Sequence, residues 1–206
     1  MTEWQLFPDG TVPYFTTPEF FEAHPWISPV HQLGHAERTA MVANLIRTFV
    51  ADYDISSLVD LGCGDGSLLG QLKDIPISMW GYDAGTQNRQ RAIDEGLDVR
   101  QADLLTTTLE YGELIVATEV VEHLVDPRKF IAGLPGDRLV LSSPSAETGD
   151  WHYEHHSFAW DMPGYAAMIS DCGWCIIDHV ECVAPDNIHG GVQRPQRFQA
   201  VAAIKG

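Results

Sequence analysis

Leu58 to Leu69 reads LVDLGCGDGSLL. An apolar pair, Leu58-Val59, leads into Asp60 and Leu61. Glycines follow at 62, 64 and 66, and a second apolar pair, Leu68-Leu69, comes next. The pattern is that of a buried strand, a tight turn and the start of a helix. Alternate glycines let the backbone take positive φ and let a ligand come close. The helix start offers free N–H groups and a positive dipole end. A dinucleotide turn needs G-x-G-x-x-G. Counted from Gly62, its third glycine falls on Ser67, which disfavours a nicotinamide oxidoreductase.

The pattern present, D-x-G-x-G-x-G over Asp60 to Gly66, resembles the first motif of class I S-adenosylmethionine (SAM) methyltransferases. In that family the turn wraps the methionine part of the cofactor, so the resemblance implies cofactor roles for Asp60, Gly62, Gly64 and Gly66. About twenty residues on, a second strand, Ile77 to Tyr82, ends at Asp83-Ala84. An acid there can accept hydrogen bonds from both ribose hydroxyls; its plain alternative is a strand-end turn residue. Asp103-Leu104 follows a third strand, Asp98 to Ala102. The resemblance implies contact with the adenine amino group there, against a solvated turn Asp. Thr118, just past a fourth strand, joins the expected cofactor set.

The rest of the chain supports the same layout. Met41, Val42, Leu45, Ile46 and Phe49 mark one face of a helix within Gly34 to Val50. Helices are expected over Leu68 to Lys73, Thr86 to Glu95, Asp126 to Ala132 and Pro163 to Asp171, the third with Pro127 in its first turn. Glu113 to Ala117 (ELIVA) suits a central parallel strand buried on both faces, and Arg138 to Ser142 is another strand. Trp174 to Val183 and Phe198 to Ile204 read as the last two strands, joined by a loop containing Pro185, Gly190, Gly191 and Pro195. With no helix between them they should pair antiparallel. The expected fold is α/β, a doubly wound, seven-stranded, mostly parallel sheet with an antiparallel last strand, as in class I methyltransferases. Residues 1–33 form an expected arm or lid, in which Phe7, Tyr14, Phe15, Phe20, Phe21 and Trp26 either cover a pocket or pack on the core. Residues 34–206 form the catalytic domain.

Composition narrows the partners. At 206 residues, one domain with a real core is expected. No apolar run reaches membrane-spanning length, and MTEWQLFPDG is no signal peptide. Four scattered cysteines suggest a reduced, cytoplasmic protein. Cys172-x-x-Cys175 has no second such pair and falls where a helix gives way to a strand, so a zinc or redox role is disfavoured. The net charge of −17 argues against an extended nucleic-acid surface, though not against a short contact to one nucleotide end.

Chemistry is expected beyond the carboxyl ends of the strands. Thr118-Glu-Val-Val-Glu-His-Leu124 starts there, and Glu119, Glu122 and His123 have the spacing of one helical face. His152, His155 and His156 lie in the loop after the fifth strand. Carboxylates and imidazoles brought together invite a divalent metal, Mg²⁺ or Mn²⁺; each group alone could equally be local hydrogen bonding or surface packing. The pair Glu119-x-x-Glu122-His123 and His156-Ser-Phe158-Ala-Trp160 resembles the small-RNA 3′-terminal 2′-O-methyltransferases. There two Glu and two His hold a metal that binds the terminal 2′ and 3′ hydroxyls. Carried over, the ligands are Glu119, Glu122, His123 and His156. Ala36-Glu37-Arg38 is a weaker match to that family. His155 and Ala159 depart from its second motif. Glu119 to Pro127 also resembles ubiquinone-biosynthesis type O-methyltransferases.

The expected function is SAM-dependent O-methylation of a hydroxylated small molecule, with metal assistance or with His123, His155 or His156 as general base. An RNA 3′ end is the alternative acceptor, and a non-catalytic SAM-binding regulatory subunit the alternative of another class. The sequence does not fix the oligomeric state.

Overall fold

The computed structural model describes residues 2–7, 17–25, 34–189 and 192–206. Of the aromatic residues expected in the arm, Tyr14, Phe15 and Trp26 lie outside these residues. Seven strands form the main sheet. They are β2 (Ser57–Leu61), β3 (Ser78–Asp83), β4 (Val99–Gln101), β5 (Leu114–Thr118), β6 (Arg138–Pro144), β8 (Trp174–His189) and β9 (Val192–Lys205), in the order β4-β3-β2-β5-β6-β9-β8. The pairs up to β6 are parallel, and β9 runs antiparallel to both β6 and β8. Helices α2 (His35–Tyr53), α3 (Ser67–Gln71), α4 (Thr86–Asp94), α5 (Pro127–Gly133) and α6 (Met162–Asp171) connect and cover it. The chain runs outward from β2 through β3 to β4, then returns to β5 and β6 on the other side. The reversal therefore lies between β2 and β5, where a crevice opens past the strand ends.

Strand alternation splits the core between the two faces of the sheet. Val59, Leu61, Ile115 and Ala117 pack on one side, and Leu58, Leu114 and Val116 on the other. Each fully buried Leu, Ile or Val contributes about 1.5–3 kcal/mol. The second face is closed by α2 through Val42, Leu45, Ile46 and Phe49. Of the five residues that marked this helix face, only Met41 stays partly exposed. As expected from Cys172-Gly173-Trp174, α6 ends at Asp171, Gly173 takes φ +88°, and β8 begins at Trp174. All four cysteines are free. No described helix is long and apolar enough to cross a membrane.

Two expectations are corrected. The loop expected between the last strands is largely strand, since β8 reaches His189 and β9 starts at Val192. The ladder skips from Ala184↔Gln196 to Asn187↔Arg194. Pro185 and Pro195, which cannot donate to a ladder, fall in that irregular step. The segment after β5 is also not a regular helical turn. Glu119 takes φ +55° and a short 3₁₀ turn follows at Val121–His123.

The arm is tied down at two places. Strand β1 (Glu3–Gln5) pairs antiparallel with β7 (Phe158–Trp160), and Trp160 Nε1 donates to Glu3 Oε2 at 2.8 Å. Helix α1 (Pro18–Ala23), capped by Thr17, lies by the crevice, where Glu22 Oε2 accepts from the backbone N–H of Thr86 at 2.6 Å.

Candidate functional site

A cavity of about 780 Å³ occupies the crevice. The glycine turn forms its floor. Gly62 and Gly64 take φ +76° and +57°, and a Cβ on Gly62 would meet Val120 Cγ2 at 2.5 Å. Gly62, Gly64, Asp83, Ala84, Asp103, Leu104 and Thr118 all line the cavity. Asp60 and Gly66 do not; Gly66 is the left-handed N-cap of α3, and Asp60 is buried beneath the turn.

Asp83 knits the turn to the strand ends. Its Oδ2 accepts from Gly64 N at 2.9 Å, and its Oδ1 from Gly85 N at 2.8 Å and Asn88 Nδ2 at 3.2 Å. Each carboxylate oxygen can accept more than one bond, so a cavity-facing role is compatible with this. Burial raises the Asp83 carboxyl against the pull of those donors. Both oxygens of Asp60 are buried without a hydrogen-bond partner among the described residues, and burial, then Asp83, pushes this carboxyl up to about 7. Asp103 accepts from Leu105 N at 2.9 Å and Thr106 Oγ1 at 2.7 Å. It thus shapes its own turn as well as lining the cavity.

The other wall carries the acids and histidines. Glu122, His123 and His156 each offer one ligand atom, all within 4.8 Å of one another. Both Glu122 oxygens are buried, with no hydrogen-bond partner among the described residues. Burial, then the nearby Glu119, pushes this carboxyl far above its usual range. His123 Nδ1 lies 2.8 Å from the carbonyl oxygen of His155. A carbonyl only accepts, so Nδ1 carries the proton. Burial lowers His123 to about 3, leaving a neutral ring with a lone pair on Nε2. His156 is likewise held neutral chiefly by burial, and its Nδ1 lies 2.6 Å from Glu147 Oε2. A buried acid beside two neutral imidazoles, with neither of its oxygens hydrogen-bonded among the described residues, is a donor set that suits a divalent metal.

Glu119 stands outside this group. Its Oε2 pairs with Arg38 Nη1 at 3.2 Å, and its Oε1 accepts from Ser142 Oγ at 2.8 Å. The left-handed backbone at 119 turns its side chain away from the direction a helical turn would give. His155 lines the cavity and packs edge-on to Phe20, ring centroids 4.8 Å apart. Phe21 packs edge-on to His123 at 5.9 Å. Trp151 and Tyr153 are also in the wall. Helix α1 thus reaches from the loop after β3, through Glu22, to the histidines.

Sequence reading missed Glu147 and the part played by His35. Glu147 precedes His156 by nine positions in an irregular loop, and no spacing rule joins them. His35 Nε2 lies 3.2 Å from Ser67 Oγ, and its Nδ1 lies 3.0 Å from Arg38 Nη2. These contacts link α2 to the helix that follows the glycine turn, a long-range packing outcome without a local motif.

A family model described as a methyltransferase domain matches residues 24–169. The ubiquinone biosynthesis O-methyltransferase of Cereibacter sphaeroides (strain ATCC 17025 / ATH 2.4.3) is 26% identical over 146 residues, covering 61% of this chain and 58% of the relative. The mitochondrial enzyme of the same name from Bos taurus is 28% identical over 132 residues, covering 53% and 36%. The chain therefore spans little more than half of the first of these curated relatives and about a third of the second. Among solved structures, magnesium protoporphyrin IX methyltransferase from Synechocystis PCC 6803 with bound SAH superposes with a TM-score of 0.60 at 17% identity, over 91% of this chain and 96% of that one. The small RNA methyltransferase HEN1 gives 0.62 at 18%, over 81% and 25%. At such identities the likeness is one of fold.

Proposed function

The chain belongs to the methyltransferase domain family, and from that premise we propose that it transfers a methyl group from S-adenosyl-L-methionine to a hydroxyl oxygen of a small molecule, assisted by a divalent metal. The observation that carries this reading is the placement of Glu122, His123 and His156 around one point in the cavity floored by the glycine turn.

On this reading Gly62 and Gly64 receive the methionine part of the cofactor and Asp83 its ribose. Asp103 and Leu104 meet the adenine, Thr118 closes the strand end, and Asp60 and Gly66 shape the turn from behind. Glu122, His123 and His156 hold the metal. Glu119 is a fourth ligand by family resemblance and would have to leave Arg38 to serve. When bound, the metal lowers the pKa of an acceptor hydroxyl. Two imidazoles make the set softer than Mg²⁺ prefers, so Mn²⁺ is the better probe.

The reaction is an in-line displacement. The acceptor oxygen forms a bond to the methyl carbon, the carbon–sulfur bond breaks, and its electron pair stays on sulfur as the sulfonium charge is lost. The hydroxyl proton goes to the ring of His155, which lines the cavity and is not one of the three ligand side chains. Holding both substrates in one cavity supplies much of the rate. Phe20, Phe21, Trp151 and Tyr153 provide faces and edges on which a flat acceptor can stack.

The acidic chain favours a small acceptor over a polyanion. The arginines in the cavity wall, Arg38 and Arg197, are paired with Glu119 and Glu181. The terminal ribose of an RNA is the second reading, favoured by the Glu and His pattern. A non-catalytic SAM-binding subunit would have no use for the unpartnered Glu122.

Calorimetric titration with S-adenosylhomocysteine, with and without Mn²⁺, tests the proposal. The expected result is nucleoside binding together with one Mn²⁺ per chain. Nucleoside binding without metal would keep methyl transfer and move the chemistry to histidine base catalysis. Absence of nucleoside binding would sink the whole reading.

A further inference from the structure

Glu147 has no part in the reaction above, yet it is buried deep in the cavity wall. It lies on the loop after β6, and both its side chain and that of His156 are less than a tenth exposed. Its Oε2 stands 2.6 Å from His156 Nδ1, and its Oε1 accepts from the backbone N–H of Tyr153 at 3.2 Å. Burying a carboxylate is costly unless its charge is matched by a donor. A glutamine could satisfy Tyr153 N equally well. Toward the imidazole, the acid offers an anionic acceptor for the ring N–H that a glutamine does not.

The backbone around it is held as firmly. Ser157 N donates to Glu122 O at 2.6 Å, which joins the segments that carry His156 and Glu122. His123 has a matching support, since its Nδ1 donates to the carbonyl of His155. Each ring is therefore held through Nδ1, one by a neutral acceptor and the other by a carboxylate.

Resting on the reading of Glu122, His123 and His156 as metal ligands, we propose that Glu147 is a positioning residue for His156. It keeps the proton on Nδ1, fixes the ring plane and makes Nε2 the stronger donor toward the metal. Outer partners of ligating histidines act in this way, and losing one weakens metal binding about 10–100-fold.

The test uses the full chain and Mn²⁺ itself. Mn²⁺ and S-adenosylhomocysteine affinities are measured calorimetrically for the wild type, Glu147→Gln and Glu147→Asp. The ring nitrogen shifts of His156 are recorded by NMR on metal-free wild type and Glu147→Ala. The expected result is a loss of about 10–100-fold in Mn²⁺ affinity for Glu147→Gln, a smaller loss for Glu147→Asp, and unchanged nucleoside affinity. The metal-free wild type should show protonated Nδ1 and bare Nε2, and Glu147→Ala a mixture of tautomers. Wild-type Mn²⁺ affinity in Glu147→Gln overturns the positioning role and leaves the metal reading standing. Parallel loss of metal and nucleoside binding, or a wild-type His156 protonated on Nε2, overturns it as well. No Mn²⁺ binding by the wild type removes the metal reading and this inference with it.

Discussion

Arg38 and Glu119 form an ion pair, Nη1 to Oε2 3.2 Å, with both side chains close to fully buried. Arg38 also contacts His35 and lies over the Phe198 ring, 5.1 Å from its centroid. It is the cation that lets two neighbouring acids, Glu119 and Glu122, share one wall. Removing one member of a buried pair costs about 3–5 kcal/mol, because the other charge is left uncompensated. Arg38→Ala is therefore expected to destabilise the fold by about that amount. The double variant Arg38→Met with Glu119→Gln should lose less than Arg38→Ala alone. Urea unfolding of the wild type, Arg38→Ala, Arg38→Met, Glu119→Gln and the double variant checks this, and a double variant that loses the sum of its two singles would show that the two side chains act separately.

Glu122 behaves differently, because its partner is expected from outside. This acid is buried, and neither of its oxygens has a hydrogen-bond partner among the described residues. A ligand that binds only the folded state stabilises it by about 2.7 kcal/mol at a hundred times its dissociation constant. Mn²⁺ should accordingly raise the melting temperature of the wild type, and Glu122→Leu should abolish the rise. Without metal, Glu122→Leu should melt no lower than the wild type, since an apolar side chain removes an unpaired acid. A thermal melt with and without Mn²⁺ reads both effects.

Gly62 is fixed by two separate constraints. Its φ of +76° costs an L-residue about 1–2 kcal/mol, and a Cβ there would stand 2.5 Å from Val120 Cγ2. Gly62→Ala should lower stability and weaken S-adenosylhomocysteine binding. Adding Val120→Ala should relieve the clash and leave the backbone strain, giving partial recovery of binding. Full recovery would mean that the left-handed conformation contributes nothing.

What could be read from the chain follows the range of the interactions involved. Gly62, Asp83 and the β5 run ELIVA are legible because turn geometry, strand-end chemistry and two-sided burial each leave a local pattern. The same holds for Cys172-Gly173-Trp174. The pairing of Glu119 with Arg38 was not legible, because one left-handed residue turns the side chain that way and helical spacing carries no trace of it. The strands beyond Ala184 and before Gln196 were hidden by Pro185 and Pro195. Prolines normally argue against strands, but here they coincide with an irregular step in the ladder. Glu147 was invisible because its partner is defined only by loop folding.

Asp60 gives a pH dependence whose sign can be worked out. Burial, then Asp83, raises its carboxyl from 3.8 to about 7, and neither oxygen has a hydrogen-bond partner among the described residues. Between those values the folded chain keeps a proton that the unfolded chain has released. Stability from this group is therefore fully present below 3.8 and is lost as pH rises, completely so above about 7. A displacement of that size corresponds to about 4 kcal/mol. Asp60→Asn removes the ionisation while keeping the shape. Groups that do not interact with Asp60 cancel when variant and wild type are compared at each pH. The stability of Asp60→Asn relative to the wild type should thus increase by about 4 kcal/mol between acid and mildly alkaline pH, as read by urea unfolding in a buffer series. A flat difference would mean that Asp60 is ionised in the fold with the help of water or a cation, and the turn would then rest on a charged rather than a neutral floor.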